Sequence, residues 1–435
     1  SPNSITFICI LRCCKSLSIG EFIHFEARKH GLLDRDVILC TTLVDMYAKF
    51  GMMRKAQDVF DGIQVADVVA WNTLINGYAQ NGLGHEALNC LRQMEGKSIS
   101  PNIVTFICTL KACSVIGSLD IGEEIRAKIC NLGLLGKDII LDTTLVDMYA
   151  KCGELARAQE VFDELPKRNV VTWNTLISGY IHHGLDDKAL KCYKLMQDEG
   201  CSPNAVTFIC ILKAISRMGL LEMGEEIHAH VSERGLLQKD IVLGTTLVDM
   251  YVKCGLLNKA QNVFNELPKR NIVTWTALIT GYVQHGLVND ALDCFRKMLL
   301  EGIFPDSIIL TCILKACSTI GSLQMGEEIH AEISKHVSLE RDILIGTALV
   351  DMYSRCCAIE KAEEVFDTLL GRNIVTWNTL IGGYAQQGPA EKALHCFRKM
   401  LEGGISPDVI TFVCVLKACG NIGSIQVGQE IHSKI

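Results

Sequence analysis

Val170-Val171-Thr172-Trp173-Asn174-Thr175-Leu176-Ile177-Ser178-Gly179-Tyr180, with Ala189-Leu190-Lys191-Cys192-Tyr193-Lys194-Leu195-Met196 shortly after it, is the stretch on which the fold turns. Trp173, Leu176, Ile177 and Tyr180 follow i, i+3, i+4, i+7. That spacing lays an apolar stripe along one helix. Ala189, Cys192, Tyr193 and Met196 repeat it on a second helix. Gly184 separates the two, and Gly200 with Pro203 stops the second. A helix pair this short cannot bury its apolar face alone, whereas a stack of pairs can.

The stack is written in the sequence. Trp71, Trp173, Trp275 and Trp377 lie 102 residues apart, as do the Leu-Val-Asp-Met-Tyr strings starting at Leu43, Leu145, Leu247 and Leu349 (the last written Leu-Val-Asp-Met-Tyr through Tyr353). Pro101, Pro203, Pro305 and Pro407 keep that period, while Pro2 to Pro101 is 99 because the first unit is three residues short after Leu11. Each block divides into units of 35, 36 and 31 residues, exemplified by Val170–Asn204, Ala205–Asp240 and Ile241–Asn271. Such self-similarity is the mark of a repeat architecture. Twelve units fill 4–408 and a thirteenth opens at 409. The 435 residues would otherwise suggest about three domains; the period predicts one continuous all-α solenoid instead.

Composition narrows the function classes. The apolar fraction is 49%, ample for a core, and 42 basic against 49 acidic residues leave a net charge of -7. That balance argues against a basic coat binding nucleic acid without regard to sequence. No uncharged apolar run approaches the roughly 18 residues of a membrane helix. The chain opens Ser1-Pro2-Asn3 and stops at Ile435 inside its repeat, so it reads as a fragment whose targeting segment lies outside it.

Val171-Thr172-Trp173-Asn174-Thr175-Leu176-Ile177 resembles the P motif of the pentatricopeptide repeat family, and Leu145 through Gly153 its S motif. Ile211-Leu212-Lys213-Ala214 through Gly224-Glu225-Glu226-Ile227-His228 resembles its L motif. The rotation of lengths is similar to the subclass that alternates P, L and S. The L motifs would be 4–36, 103–138, 205–240, 307–342 and a truncated 409–435. The S motifs would be 37–67, 139–169, 241–271 and 343–373, and the P motifs 68–102, 170–204, 272–306 and 374–408. The resemblance implies a right-handed superhelix of helix-turn-helix repeats reading single-stranded RNA, one base per repeat. It further implies the specificity array of an organelle C-to-U editing factor, in mitochondrion or chloroplast with a lean to the mitochondrion. Editing-complex proteins are the further partners implied, and no membrane. The catalytic zinc deaminase of such factors is a separate C-terminal domain, so the fragment is expected to be no enzyme and to need no cofactor. Transcript stability or splicing is the alternative within RNA binding; a protein-binding scaffold is the alternative outside it.

In the family, the fifth and last residues of a motif choose the base. Carried over, the P pairs are Asn72/Asn102, Asn174/Asn204, Thr276/Asp306 and Asn378/Asp408. The S pairs are Thr41/Asp67, Thr143/Asn169, Thr245/Asn271 and Thr347/Asn373. An ionised Asp only accepts hydrogen bonds and suits guanine N1–H or uracil N3–H; Asn also donates and suits adenine N1 or cytosine N3. By the resemblance, fifth-position Thr goes with purines and Asn with pyrimidines. The rival reading makes these residues helix N-terminal caps. Four L motifs have aliphatic fifth residues, Ile8, Ile107, Ile209 and Val413, which no base edge can bond; Thr311/Asp342 is the exception and a weak guanine reader. The expected target is 5′-nGYnAYnAG(G)AUn-3′.

The resemblance makes Val69, Val171, Val273 and Val375 wedges between bases; ordinary packing is the rival. Lys49, Lys151, Lys253 and Arg355 are candidates for phosphate contact, yet Asp45, Asp147, Asp249 and Asp351 precede them by four and could pair with them instead. Arg12, Lys111, Lys213, Lys315 and Lys417, ninth in the L motifs, have no such acid and are comparable candidates. The 21 cysteines follow the repeat and form no C-x-x-C, so they read as small buried apolar residues, with no metal site. His330-Ala331-Glu332 and His24-Phe25-Glu26 match a deaminase H-x-E only by chance, since no P-C-x-x-C follows. Cys357 replaces the turn glycine seen at Gly51, Gly153 and Gly255, a departure expected to weaken that turn.

Overall fold

The computed structural model describes residues 3–335 and 342–432. Among them are 26 α-helices and no strand. The helices divide into two compact units, residues 1–218 and 219–435.

Within the first unit, helices Val37–Lys49, Val68–Gln80, Ile103–Ile116, Ile139–Lys151 and Val170–His182 pack side by side in sequence order as one layer. Each is followed by a second, outer helix that folds back on it and also touches the next inner helix. The second unit repeats this plan, with inner helices Ile241–Lys253, Ile272–Gln284, Ser307–Ile320, Ile343–Arg355, Ile374–Gln387 and Val409–Ile422.

The pair at Val170–His182 and Asp186–Asp198 shows why these residues fold so. All eight residues of the two apolar stripes are buried. Each large one contributes on the order of 1.5–3 kcal/mol of hydrophobic stabilisation relative to exposure. Trp173 meets the edge of Phe162 from the preceding outer helix, ring centroids 4.6 Å apart, and the same contact recurs at Phe60–Trp71, Phe264–Trp275 and Phe366–Trp377. The Arg168 guanidinium lies over the Phe162 ring at 4.9 Å and donates to the Phe162 carbonyl. Asp186 and Asp187 open the second helix, where acidic groups favour the positive end of the helix dipole. Gly179 lets successive inner helices approach: a Cβ there would lie 2.8 Å from that of Ala150.

The short first unit has a local cause. Its inner helix, Ser4–Arg12, has nine residues where the later L-type ones have 14, so the missing residues remove the helix's last turn. Cys357 holds the left-handed conformation of the glycines it replaces, φ 63° against 85° at Gly153. Cys90, Cys192, Cys294 and Cys396 are buried, and burial pushes the Cys90 thiol up to about 12 and the other three to about 11. The reading of cysteine as a core residue needs one correction: Cys9, Cys13, Cys130 and Cys357 are exposed, although Cys9 holds the repeat position at which Cys108 is buried.

Candidate nucleic-acid interface

The last residue of each unit is the N-cap of the next inner helix. Its side-chain oxygen accepts a backbone N–H: Asp67 from Ala70 at 2.9 Å, Asn102 from Thr105 at 3.0 Å, Asn169 from Thr172 at 2.9 Å, Asn204 from Thr207 at 3.1 Å. In the second unit, Asn271, Asp306, Asp342, Asn373 and Asp408 cap at 2.8–3.0 Å. Capping and base reading are not exclusive. One oxygen faces the helix, and the other terminal atom of the side chain remains. For asparagine the cap decides which atom that is: Oδ1 must face the N–H donors, which leaves Nδ2 free to donate outward.

Where the fifth residue is asparagine, it sits directly against this cap. Asn72 Nδ2 donates to Asn102 Oδ1 at 3.1 Å, Asn174 to Asn204 at 3.0 Å, and Asn378 to Asp408 at 2.9 Å. These three carried-over pairs are therefore neighbours in space, though 30 residues apart in the chain. The backbone N–H of Thr411, with Asn378, holds the Asp408 carboxyl below its usual range, so it stands as an acceptor. Fifth-position threonines turn their hydroxyl hydrogen inward. Thr41, Thr143, Thr245, Thr276 and Thr347 donate to the carbonyl four residues back at 2.6–2.8 Å.

The weaker pair differs. Asp342 accepts from Leu344 N–H at 2.8 Å with one oxygen and from Ser307 Oγ at 2.7 Å with the other, and among the described residues Thr311 bonds only within its own helix. Asp306 uses one oxygen in its cap, and no second bond to it occurs among the described residues. Ile8, Ile107 and Ile209 are half-buried, and Val413 is exposed.

Val69, Val171, Val273 and Val375 are 55–57% exposed, so core packing does not account for them. The second residue of the other units, which the sequence did not single out by number, is exposed too: Ile5, Val104, Val206, Ile308 and Ile410 in L-type units, Ile38, Ile140, Val242 and Leu344 in S-type units. Their signal was plain, an aliphatic residue second in every unit.

The basic candidates separate sharply. Lys49, Lys151, Lys253 and Arg355 pair with Asp45, Asp147, Asp249 and Asp351 at 2.6–2.9 Å. Arg12, Lys111, Lys213, Lys315 and Lys417 are exposed and form no ion pair among the described residues. In the second unit one groove is lined by Lys315, Leu344, Thr347, Arg355, Asn373 and Val375, and its neighbour by Val375, Asn378, Asp408 and Ile410. In the first unit Lys151, Val171, Asn174, Asn204 and Val206 share a groove. The H-x-E histidines lie elsewhere: His24 and His330 bond Tyr47 and Tyr353 through Nδ1 at 2.8 and 2.9 Å, as His228 does Tyr251. Their place in the repeat is a structural seam between two units.

A layer of inner helices, each capped by the residue that ends the unit before it, defines an all-α helical-repeat protein. The chain belongs to the pentatricopeptide repeat family. The models of the PPR repeat family and PPR repeat match residues 66–114, 168–217, 270–319 and 372–421, and 38–68, 143–170, 245–272 and 347–374. A chloroplastic pentatricopeptide repeat-containing protein of Arabidopsis thaliana is 33% identical over 423 residues, covering 97% of this chain and 68% of its own. Another from that plant is 35% identical over 437 residues, covering 100% and 63%, and a mitochondrial one 33% identical over 436 residues, covering 100% and 42%. The chain thus spans about half to two thirds of the length of several curated relatives it matches. Among solved structures, the pentatricopeptide repeat protein PPR10 in complex with an 18-nt psaJ RNA element shares the fold, with TM-score 0.73 at 18% identity, covering 99% of this chain and 68% of that one. The α-solenoid read from the period is the fold found.

Proposed function

We propose that the chain is a sequence-specific single-stranded RNA-binding array that reads one base per repeat through its fifth/last pairs. The observation that carries this is the preformed contact between the two residues of a pair at Asn72/Asn102, Asn174/Asn204 and Asn378/Asp408, with one terminal atom of the cap not used by it. A scaffold for proteins would have no use for a polar pair kept at one position in an otherwise apolar helix. The RNA bound by PPR10 supports the same class of ligand. The target remains 5′-nGYnAYnAG(G)AUn-3′, and the exposed aliphatic residues are the wedges between its bases. Phosphate contact falls to the five L-type cations before the four S-type ones, because a cation already paired at 2.6–2.9 Å must give up that partner.

The finer reading is the specificity part of an organelle C-to-U editing factor of the subclass alternating P, L and S. The rotation of 35, 36 and 31 residues supports it over transcript stability or splicing. Catalysis, and partner proteins of the editing complex, would be supplied from outside these residues. Chloroplastic and mitochondrial relatives both match, so we place it in an organelle and drop the lean to the mitochondrion. Selection from a random single-stranded RNA pool tests the reading. Enrichment of the target pattern is expected; a pool that stays random at physiological salt would overturn it.

A further inference from the structure

Beneath most of the pairs lies a buried threonine, third in the following unit. Thr105, Thr207 and Thr411 donate through Oγ to the Oδ1 of Asn72, Asn174 and Asn378 at 2.7, 2.7 and 2.6 Å. Each also takes the backbone N–H of the cap residue at 3.1 Å, which closes a ring of bonds around the pair. At the S-type pairs, Thr172, Thr274 and Thr376 donate to the Oδ1 of Asn169, Asn271 and Asn373 at 2.9–3.1 Å, and their Oγ lies 2.8–3.0 Å from Oγ of Thr143, Thr245 and Thr347. All six threonines are 0% exposed.

The threonine is not simply a feature of one motif type. Among P-type units, Thr172, Thr274 and Thr376 follow Asn169, Asn271 and Asn373, but Ala70 follows Asp67. Among L-type units, Thr105, Thr207 and Thr411 follow pairs that contain asparagine, but Ile309 follows Thr276/Asp306. After Thr311/Asp342 stands Ile345, and after the aliphatic fifth residues Ile8, Ile107 and Ile209 stand Leu39, Leu141 and Leu243. Threonine is present wherever the pair holds an amide and absent wherever it does not.

Chemistry supplies the reason. A carboxylate is symmetric: whichever oxygen caps the helix, the other still accepts. An amide is not, and turning it by 180° exchanges a donor for an acceptor at the face that meets the base. A hydroxyl bonded to Oδ1 resists that exchange. The geometry points to this third-position threonine as a positioning residue for base choice, one that fixes which face of an asparagine the RNA meets. The inference rests on the base-reading function proposed above.

Thr207→Val keeps the side chain's volume and removes only the hydroxyl. The full chain, with and without it, is titrated with RNAs of the target pattern that differ only at the base facing Asn174/Asn204. The pyrimidine-to-purine affinity ratio at that base should fall about tenfold, the scale of one lost base-edge contact. Thr207→Ser should restore it, and ratios at other positions should stay as they were. Ile309→Thr, beside the carboxylate of Asp306, should leave the guanine preference there unchanged. Thr411→Val repeats the test at Asn378/Asp408 on a chain whose folding is checked by thermal melting. If either valine variant weakens all RNAs equally with unchanged ratios, the threonine is a packing and capping residue and the inference fails. If Asn204→Asp in the otherwise unaltered chain also leaves its base preference unmoved, the reading itself has failed, which separates the two.

Discussion

The inner helices of the L-type and S-type units are built alike and serve the face differently. Both are capped by the preceding unit's last residue, and both carry a cation toward the groove. In the S-type helix Ile241–Lys253, the fifth residue Thr245 is polar, the ninth is Asp249, and Lys253 is bound to that acid at 2.7 Å. In the L-type helix Ser307–Ile320, the ninth is Lys315, exposed and without an ion pair among the described residues. P-type units hold Asn76, Ser178, Thr280 and Gly382 at that position. Charge at the ninth position therefore runs basic, acidic, neutral through each block. On the proposed reading, L-type units with an aliphatic fifth residue are not idle: Lys111 and Lys213, exposed and without an ion pair among the described residues, would meet the backbone of the ligand where neighbouring units would offer the bases a polar pair.

The comparison breaks most visibly at a reading pair. Asp306→Asn replaces an outward acceptor by an outward donor, and should move the preference at its base from G to A. The discrimination should be about 1–3 kcal/mol in titrations on RNAs differing at that base alone. Equal weakening on every RNA would make Asp306 a cap and nothing more.

The gripping units come next. Lys315→Gln should weaken binding to all sequences alike and lower the salt slope of the affinity by about one. Lys253→Gln should change the slope less, because its charge is already spent on Asp249. Equal slopes for the two variants would erase the distinction between the unit types.

A change confined to the fold gives the baseline against which both are judged. Cys357→Gly relieves a side chain held at φ 63°, and should stabilise the chain by about 1 kcal/mol in denaturant melts. The base preferences should not move with it.

The smallest effect lies at the seam between L-type and S-type units. Burial holds His24 and His228 below the ordinary histidine value of 6.5, assisted at His24 by Arg28 and Lys55. The unfolded chain then binds more protons than the folded one as pH falls through 6.5, so stability is full above that value and declines below it. Melting midpoints followed from pH 7.5 down to 5 should fall; a flat or rising profile would contradict the seam's geometry.

Much was legible without coordinates. The period of 102, the two stripes per unit and the turn glycines specify a stack of helix pairs, because helical periodicity and covalent spacing are local properties of the chain. The polar pairs stood out by their position in apolar helices. Which terminal atom of an asparagine faces outward, which cations are already bound and which aliphatic residues stand in solvent were not legible. The asparagine pairs depend on partners 30 to 33 residues away, brought together only when one hairpin stacks on the next, whereas each S-type cation finds its acid four residues back in the same helix, a pairing the spacing had left open. The sequence by itself determined the repeat and the residues at each position of it. Only the tertiary structure decided what each of those side chains has left to offer, since hydrogen-bonding capacity is known only after the neighbours have taken their share.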